Sequence, residues 1–526
     1  MPDTTVDQVV RSRAAQHPDK PMVIDPSSRM TYSELDSSTR ALAAAFVEAG
    51  VGKGTRVGLV MPNGVRWVQV AIALTRIGAV LVPLSTLLQP RELLAQLQTA
   101  SVQLLITVEE FRGHRYLDDL RSALGSRELG TEELLHHPKL PALRRIWTVD
   151  LLTKATASSA AIRIIDSLTR TVTASDPFVI VFTSGSSGPP KGVLHSHGSA
   201  LGAVQSGLAS RCIDAETRLY LPMPFFWVGG LGGGVLSALL AGATLVTEAI
   251  PRPESTLRLL ERERVTLFRG WPDQAEALAR KLDAVEIDLS ALQPGSLDAL
   301  LAPDRRAAPG ARANLFGMTE SFGPYCGYPA DTDMPRSAWG SCGKPFPGME
   351  VRIADPDTGR ALPVGTVGMI QIRGPHILRG ICRRSREDVF TPDGFYSTGD
   401  LGHFDPEGFL FYHGRADDMF KVSGASVYPS EVEQALRSID GVDKAVVTNV
   451  CGAQGNRVGA AVVCNSATVT VDELREAARR LLSAFKVPTV WLLVDSDDDI
   501  PRGPTGKVDI PRVREMLANL GSAEWR

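Results

Sequence analysis

Apolar and polar positions alternate at two periods along this chain. In "TYSELDSSTRALAAAFVEAG", Leu35, Leu42 and Phe46 recur at helical spacing, Thr31 and Glu34 form a capping box, and Gly50 follows as a stop. The pattern predicts a helix opening at Thr31. "RVGLVMPNG" predicts a buried strand ending in a turn, and "VQVAIALTRIGAVLVPL" predicts a helix followed by a strand. Such alternation predicts a mostly parallel sheet covered by helices. After about Pro335 the texture changes, and short strands such as "MEVRIAD" and "GMIQIRG" sit between Pro, Gly and Asp turns. A third texture starts at "GRADDMFKVSG": "SEVEQALRSI" and "VDELREAARRLL" read as helices, "KAVVTNV" and "GAAVVCN" as strands. This α+β segment of about 110 residues is long enough to fold alone, with a boundary near Arg415 to Asp418. The most apolar stretch, "VGGLGGGVLSALLAGATLV" from Val228, is too short and too rich in glycine for a membrane span and predicts a closely packed buried helix.

Composition changes this picture little. The 526 residues allow two to four domains. A net charge of -3 and an apolar fraction of 44% describe an ordinary globular chain. They argue for no nucleic-acid partner and no stable membrane insertion. The cysteines (Cys212, Cys326, Cys342, Cys382, Cys451, Cys464) are scattered, without a C-x-x-C pair or clustered zinc ligands, which fits a reduced, cytoplasmic protein. "MPDTTVDQVV" lacks a basic segment followed by an apolar core, so no secretory leader is expected.

Candidate chemistry concentrates in "VFTSGSSGPPKG", Val181 to Gly192, which follows an apolar strand. Glycines let backbone N–H groups converge on an anion, hydroxyls add donors, and Lys191 adds a mobile positive charge. A Walker A loop does not fit, because Gly192 stands where that motif needs a magnesium-binding hydroxyl. A flexible linker would not carry the preceding strand and the embedded lysine. "GGLGGG" has the wrong spacing for a dinucleotide fingerprint.

The loop resembles the phosphate loop of the adenylate-forming superfamily: acyl-CoA synthetases, firefly luciferase and the adenylation domains of peptide synthetases. Further motifs follow in order: "LFGMTES", "YSTGDLGHFDPEGFLFYHGRADD", "KVSGASVYPSEVE" and "PRGPTGKVD". The resemblance implies that Thr183, Ser184, Gly185, Ser186, Ser187, Gly188 and Lys191 bind phosphates. It places Phe316 and Gly317 at the adenine, Thr319 at the α-phosphate, and Glu320 as the magnesium ligand. Asp400 would accept the ribose hydroxyls, Arg415 would add charge at the nucleotide, and Lys507 would bridge the two reacting anions. Asp417 is implied as the hinge, with Ser423 and Gly424 on the small domain's face toward the thiol. The acyl pocket is implied at "LPMPFFWVGGLGGG", with Phe226, Trp227, Gly230 and Phe322.

The implied fold is α/β. A large N-terminal AMP-binding domain, residues 1–414, holds layered α/β subdomains and a β-barrel-like part at about 335–414. A hinge at 415–418 and a small mobile α+β lid at 419–526 complete it. The implied activity is an ATP-dependent carboxylic acid–CoA ligase with ATP, Mg2+ and coenzyme A as cofactors and a hydrophobic acid as substrate. Dimers are common in that superfamily, so a homodimer is an option. A stand-alone adenylating enzyme that loads a carrier protein is the alternative, and light output or oxygen use would mark a luciferase-like enzyme.

Several positions depart from the pattern. Trp227 replaces a frequent histidine, and no acid between Leu221 and Ala241 could pair a substrate ammonium. The glycines from Gly229 to Gly234 are expected to leave room for a bulky acid. The usual S-G-G-A-P segment is missing, and Gly295 and Ser296 of "LQPGSLDALLAP" are candidates for its place. "HSH", His195 and His197, has no third metal ligand nearby in sequence, so both are expected to be structural.

Overall fold

The helix expected from "TYSEL" spans Tyr32–Glu48. Thr31 Oγ1 accepts the Glu34 N–H at 3.1 Å, and Glu34 Oε2 accepts the Thr31 N–H at 2.8 Å. This reciprocal cap satisfies two otherwise orphaned donors. Leu35, Leu42 and Phe46 are buried, and Gly50 ends the run at φ 84°, where a glycine is favoured. The computed structural model describes residues 4–125, 134–154, 157–183, 191–282, 285–416, 418, 420–422, 425–452, 455–464, 469–482, 484–503 and 508–521. Ser184, Gly185, Ser186, Ser187, Gly188, Asp417, Ser423, Gly424 and Lys507 lie outside the described residues.

The chain divides into two compact units, Met1–Val351 with Ile372–Tyr396, and Arg352–Gln371 with Ser397–Arg526. The first is built on a seven-stranded sheet in the order Gly380–Ile381, Lys191–Ser196, Pro177–Thr183, Val80–Pro83, Arg56–Val60, Leu104–Thr107, Arg145–Thr148. From Pro177–Thr183 to Arg145–Thr148 the neighbours run parallel; the two pairings at the other edge are antiparallel. Val80–Pro83 and Leu104–Thr107 are buried at every position. Burial on both faces is why such strands read as continuous apolar runs. A five-stranded sheet has the order Leu267–Phe268, Arg218–Tyr220, Thr244–Val246, Pro21–Ile24, Arg29–Thr31. A small antiparallel sheet joins Phe316–Met318, Gly323–Gly327 and Lys344–Pro345.

The stretch from Val228 is helical as expected. It changes from α (Val228–Gly230) to π (Leu231–Leu236) and back to α (Ser237–Ala241) before the strand Thr244–Val246. Among the described residues no helix is long and apolar enough to cross a membrane.

The second unit pairs Val442–Gly452 antiparallel with Gly455–Cys464, and Val490–Val494 runs parallel beside the latter. Helices Pro429–Arg437, Val471–Leu481 and Ile510–Gly521 bury Val432, Leu436, Leu474, Val513 and Leu517. The units part earlier than the expected boundary at 415–418. Strand Leu410–Arg415 belongs with the second unit, where Ser430 Oγ, from helix Pro429–Arg437, donates to His413 O.

Candidate active site

Thr183 and Lys191 are cross-strand partners in the antiparallel pair Pro177–Thr183 and Lys191–Ser196. They are the two ends of the glycine-rich loop, so the ladder pins its mouth. Gly192 serves packing. A Cβ there would lie 3.0 Å from both Cys382 Sγ and Ile180 Cγ2, and Gly192 O accepts the Cys382 N–H at 2.8 Å. A hydroxyl residue at this position would be crowded.

The "MTES" motif forms a single turn at 319–321. Ser321 Oγ accepts the Met318 N–H at 3.1 Å and donates to Gly323 O at 2.7 Å, which closes the turn from inside. Glu320 is 6% exposed. Its carbonyl accepts the Leu378 N–H at 2.7 Å, and Tyr396 Oη donates to its Oε1 at 3.0 Å. Among the described residues Tyr396 supplies the one donor to this carboxylate, and no Lys or Arg pairs with it. That leaves oxygen lone pairs of the kind a hard cation takes, so the residue fits a Mg2+ ligand. Phe316 stands edge-on to Tyr325 at 5.6 Å. A Cβ at Gly317 would lie 2.1 Å from Gly323 O, so only glycine lets the two strands approach here.

Both histidines of "HSH" are buried, and burial lowers each to a pKa of about 4. His197 Nδ1 accepts the Val6 N–H at 3.3 Å and ties the helix Val6–Gln16 to the helix His197–Ser206 that follows the strand. His195 reaches instead to the motif turn, with Nε2 at 2.8 Å from Thr319 O.

Phe226 is buried, and Trp227 stands edge-on to it at 5.3 Å and to Trp271 at 5.9 Å. Trp271 caps the helix Pro272–Ala279 and extends the aromatic wall. The expectation that the neighbouring glycines leave room for an acid does not hold. A Cβ would meet Pro224 O at 2.1 Å from Gly230, Met223 Sδ at 2.7 Å from Gly229, Leu221 Cδ2 at 2.9 Å from Gly234, and Phe322 at 3.2 Å from Gly232. These four glycines bring backbone close to protein; at Gly233 the nearest atom is Leu221 Cδ2 at 3.7 Å, an ordinary contact. Phe322 is 2% exposed, edge-on to Phe178 at 6.3 Å and to His195 at 4.9 Å. Ser296 is buried, and its Oγ accepts the Phe268 N–H at 3.1 Å, so this hydroxyl anchors a strand end.

In the second unit Asp400 and Arg415 are cross-strand partners, with Nη1 at 3.1 Å from Oδ1. Arg415 Nη1 also donates to Thr398 O at 3.1 Å, and Thr398 Oγ1 accepts the Asp400 N–H at 3.0 Å. A Cβ at Gly399, at φ 79°, would lie 2.8 Å from Arg415 Nη2, so glycine makes way for the guanidinium.

Sequence reasoning missed Tyr396 and Trp271, and it gave His195 no link to the turn. Tyr396 stands in "FYSTGD", and nothing local ties its hydroxyl to a carboxylate 76 positions away.

The model of the family described as AMP-binding enzyme matches residues 10–382. The chain belongs to this family. A methyl-dioxo-octahydroindenyl-propanoyl:CoA ligase of Mycobacterium tuberculosis is 31% identical, over 97% of this chain and 98% of the relative. Indoleacetate–CoA ligase of Aromatoleum aromaticum is 28% identical, over 96% of each. Among solved structures, ATP-bound MatB from Rhodopseudomonas palustris superposes with a TM-score of 0.77 at 24% identity, over 98% of this chain and 99% of that one. This AMP-binding enzyme is an AMP-forming acid–CoA ligase, with ATP and coenzyme A as its co-substrates.

Proposed function

We propose that this ligase takes a hydrophobic carboxylic acid of the fatty, aromatic or alicyclic kind, and that Phe226, Trp227 and Trp271 receive its apolar body. The observation that carries this reading is that aromatic wall, with no acidic residue between Leu221 and Ala241. An α-amino acid would bury an ammonium without a partner. The wall's helix abuts the motif turn, since a Cβ at Gly323 would lie 3.7 Å from Val228 Cγ1. The bulky apolar acids named for the two relatives support the reading.

The acid's carboxylate and the α-phosphate of ATP repel, so catalysis is positioning and charge neutralisation. In this reading Thr183, Ser184, Gly185, Ser186, Ser187, Gly188 and Lys191 cradle the phosphates, and Phe316 and Gly317 flank the adenine. The Thr319 hydroxyl donates to the α-phosphate. Asp400 accepts the ribose hydroxyls, with Arg415 holding the aspartate in place. Glu320 is the residue that would hold Mg2+, which when bound supplies neutralisation of phosphate charge. Lys507 brings an ammonium between the reacting anions. Asp417 is the pivot of the lid, and Ser423 and Gly424 line the thiol's approach. We place the enzyme in the cytoplasm, and sedimentation checks for a homodimer.

The test incubates the protein with ATP, Mg2+ and a panel of acids, with and without CoA, and measures AMP and thioester. Turnover of α-amino acids and of no apolar acid overturns the substrate reading. Lys507→Ala cuts adenylation by about 10²–10³-fold; wild-type acyl-adenylate formation by that variant removes Lys507 from its role.

A further inference from the structure

His195 lies on the strand that begins at Lys191, and its ring crosses to the 319–321 turn. Because a carbonyl only accepts, the 2.8 Å contact with Thr319 O puts the proton on Nε2. Nδ1 is left as the acceptor, with Ser199 Oγ at 3.5 Å. Burial keeps the ring neutral near pH 7, and in the neutral ring the contact with Thr319 O selects the Nε2–H tautomer. Thr319 O also accepts the Phe322 N–H at 3.0 Å. Two donors on one carbonyl hold the peptide plane that joins Thr319 to Glu320. The turn exits through Phe322 at φ 52°, a left-handed conformation that costs energy for a bulky residue and persists only where its surroundings impose it. The imidazole edge against the Phe322 ring at 4.9 Å is part of that surrounding.

We propose that His195 is a positioning residue for the nucleotide step. It ties the strand carrying Lys191 to the turn carrying Thr319 and Glu320, so that the phosphate-binding cation and the cation-binding carboxylate share one frame. The inference rests on the roles given above to Lys191 and Glu320. Without the Nε2 donor, the Phe322 N–H is the one donor to Thr319 O left among the described residues. The peptide before Glu320 can then rotate, and both motif side chains leave their set directions.

The test uses the full chain with His195→Leu, His195→Gln and His195→Asn. Leucine fills volume without a donor, glutamine carries an amide N–H to about the place of Nε2, and asparagine falls short of it. Binding of MgATP is measured by calorimetry without acid, and adenylation by pyrophosphate exchange. Leucine and asparagine weaken MgATP binding and lower kcat/KM for ATP by about 10–100-fold, the range for residues that orient a metal ligand. The KM for the acid stays put, and glutamine recovers most of the loss. Wild-type MgATP binding by His195→Leu overturns the proposal, as does an equal loss in His195→Gln, which would make the ring mere packing. Should the leucine variant not fold, 15N-labelled histidine in the wild-type protein reads the tautomer directly: an Nδ1–H His195 overturns it, and an Nε2–H form supports it. Glu320→Gln separates the two levels. If that variant loses MgATP binding while the His195 series does not, the inference fails and the reading of Glu320 stands.

Discussion

Gly317→Ala tests how tightly the motif turn is built. The added Cβ would sit 2.1 Å from Gly323 O and 2.4 Å from both Gly323 C and Pro324 Cα. All three are backbone atoms, so no rotamer change relieves the clash. Ordinary contact starts at 3.4 Å, so the strands Phe316–Met318 and Gly323–Gly327 must part by about 1.3 Å, the difference from 2.1 Å. Gly323 resists the shift, since its φ of 112° belongs to glycine's own range and its carbonyl accepts from Ser321 Oγ at 2.7 Å. Overpacking costs about 1–3 kcal/mol and the lost hydrogen bond about 1 kcal/mol, roughly 2–4 kcal/mol together. For a unit of this size that lowers Tm by roughly 3–5 °C. A turn displaced by more than about 1 Å loses on the order of 100-fold in the adenylation rate. Thermal melts and pyrophosphate exchange on the purified variant measure both. A variant with wild-type Tm and wild-type exchange refutes the close approach of the two strands.

Two further outcomes follow from the buried polar groups. Burial lowers His195 and His197 from 6.5 to about 4, so between those values the native protein binds fewer protons than the unfolded chain. Their contribution is complete above pH 6.5 and is lost as pH falls toward 4, by roughly 3 kcal/mol per histidine; urea midpoints that stay flat over this range would contradict it. Tyr396→Phe removes the donor to Glu320 Oε1. A hydrogen bond to a charged group is worth about 1.5–3 kcal/mol, so MgATP binding should weaken by about tenfold or more while the melt changes little; unchanged calorimetric affinity would show that the hydroxyl does not orient the carboxylate.

Local signals made much of this protein legible in the sequence alone. The start of the helix Tyr32–Glu48 was readable because a capping box spans only three residues and needs no partner elsewhere. The α/β alternation was readable because buried parallel strands cannot hide their apolar runs. The family motifs were readable because an anion cradle needs small residues in a short order, and the chain places "TSGSSGPPKG" directly after a strand.

Tertiary structure decided which distant groups meet. His195 finds Thr319 O across 124 positions, and Tyr396 finds Glu320 across 76. Arg76, wholly buried in the helix Val65–Arg76, is neutralised by Asp7 at 2.7 Å and Asp36 at 2.8 Å from two earlier helices. The same holds for the glycines after Trp227, whose composition alone suggests space. Met223, Pro224 and Phe322 fill that space, so the glycines permit close packing. Periodicity and composition record what a residue needs within a turn or two of chain. A hydrogen bond or a steric limit between remote segments leaves no such local trace, because it depends on how the sheets and helices are brought together.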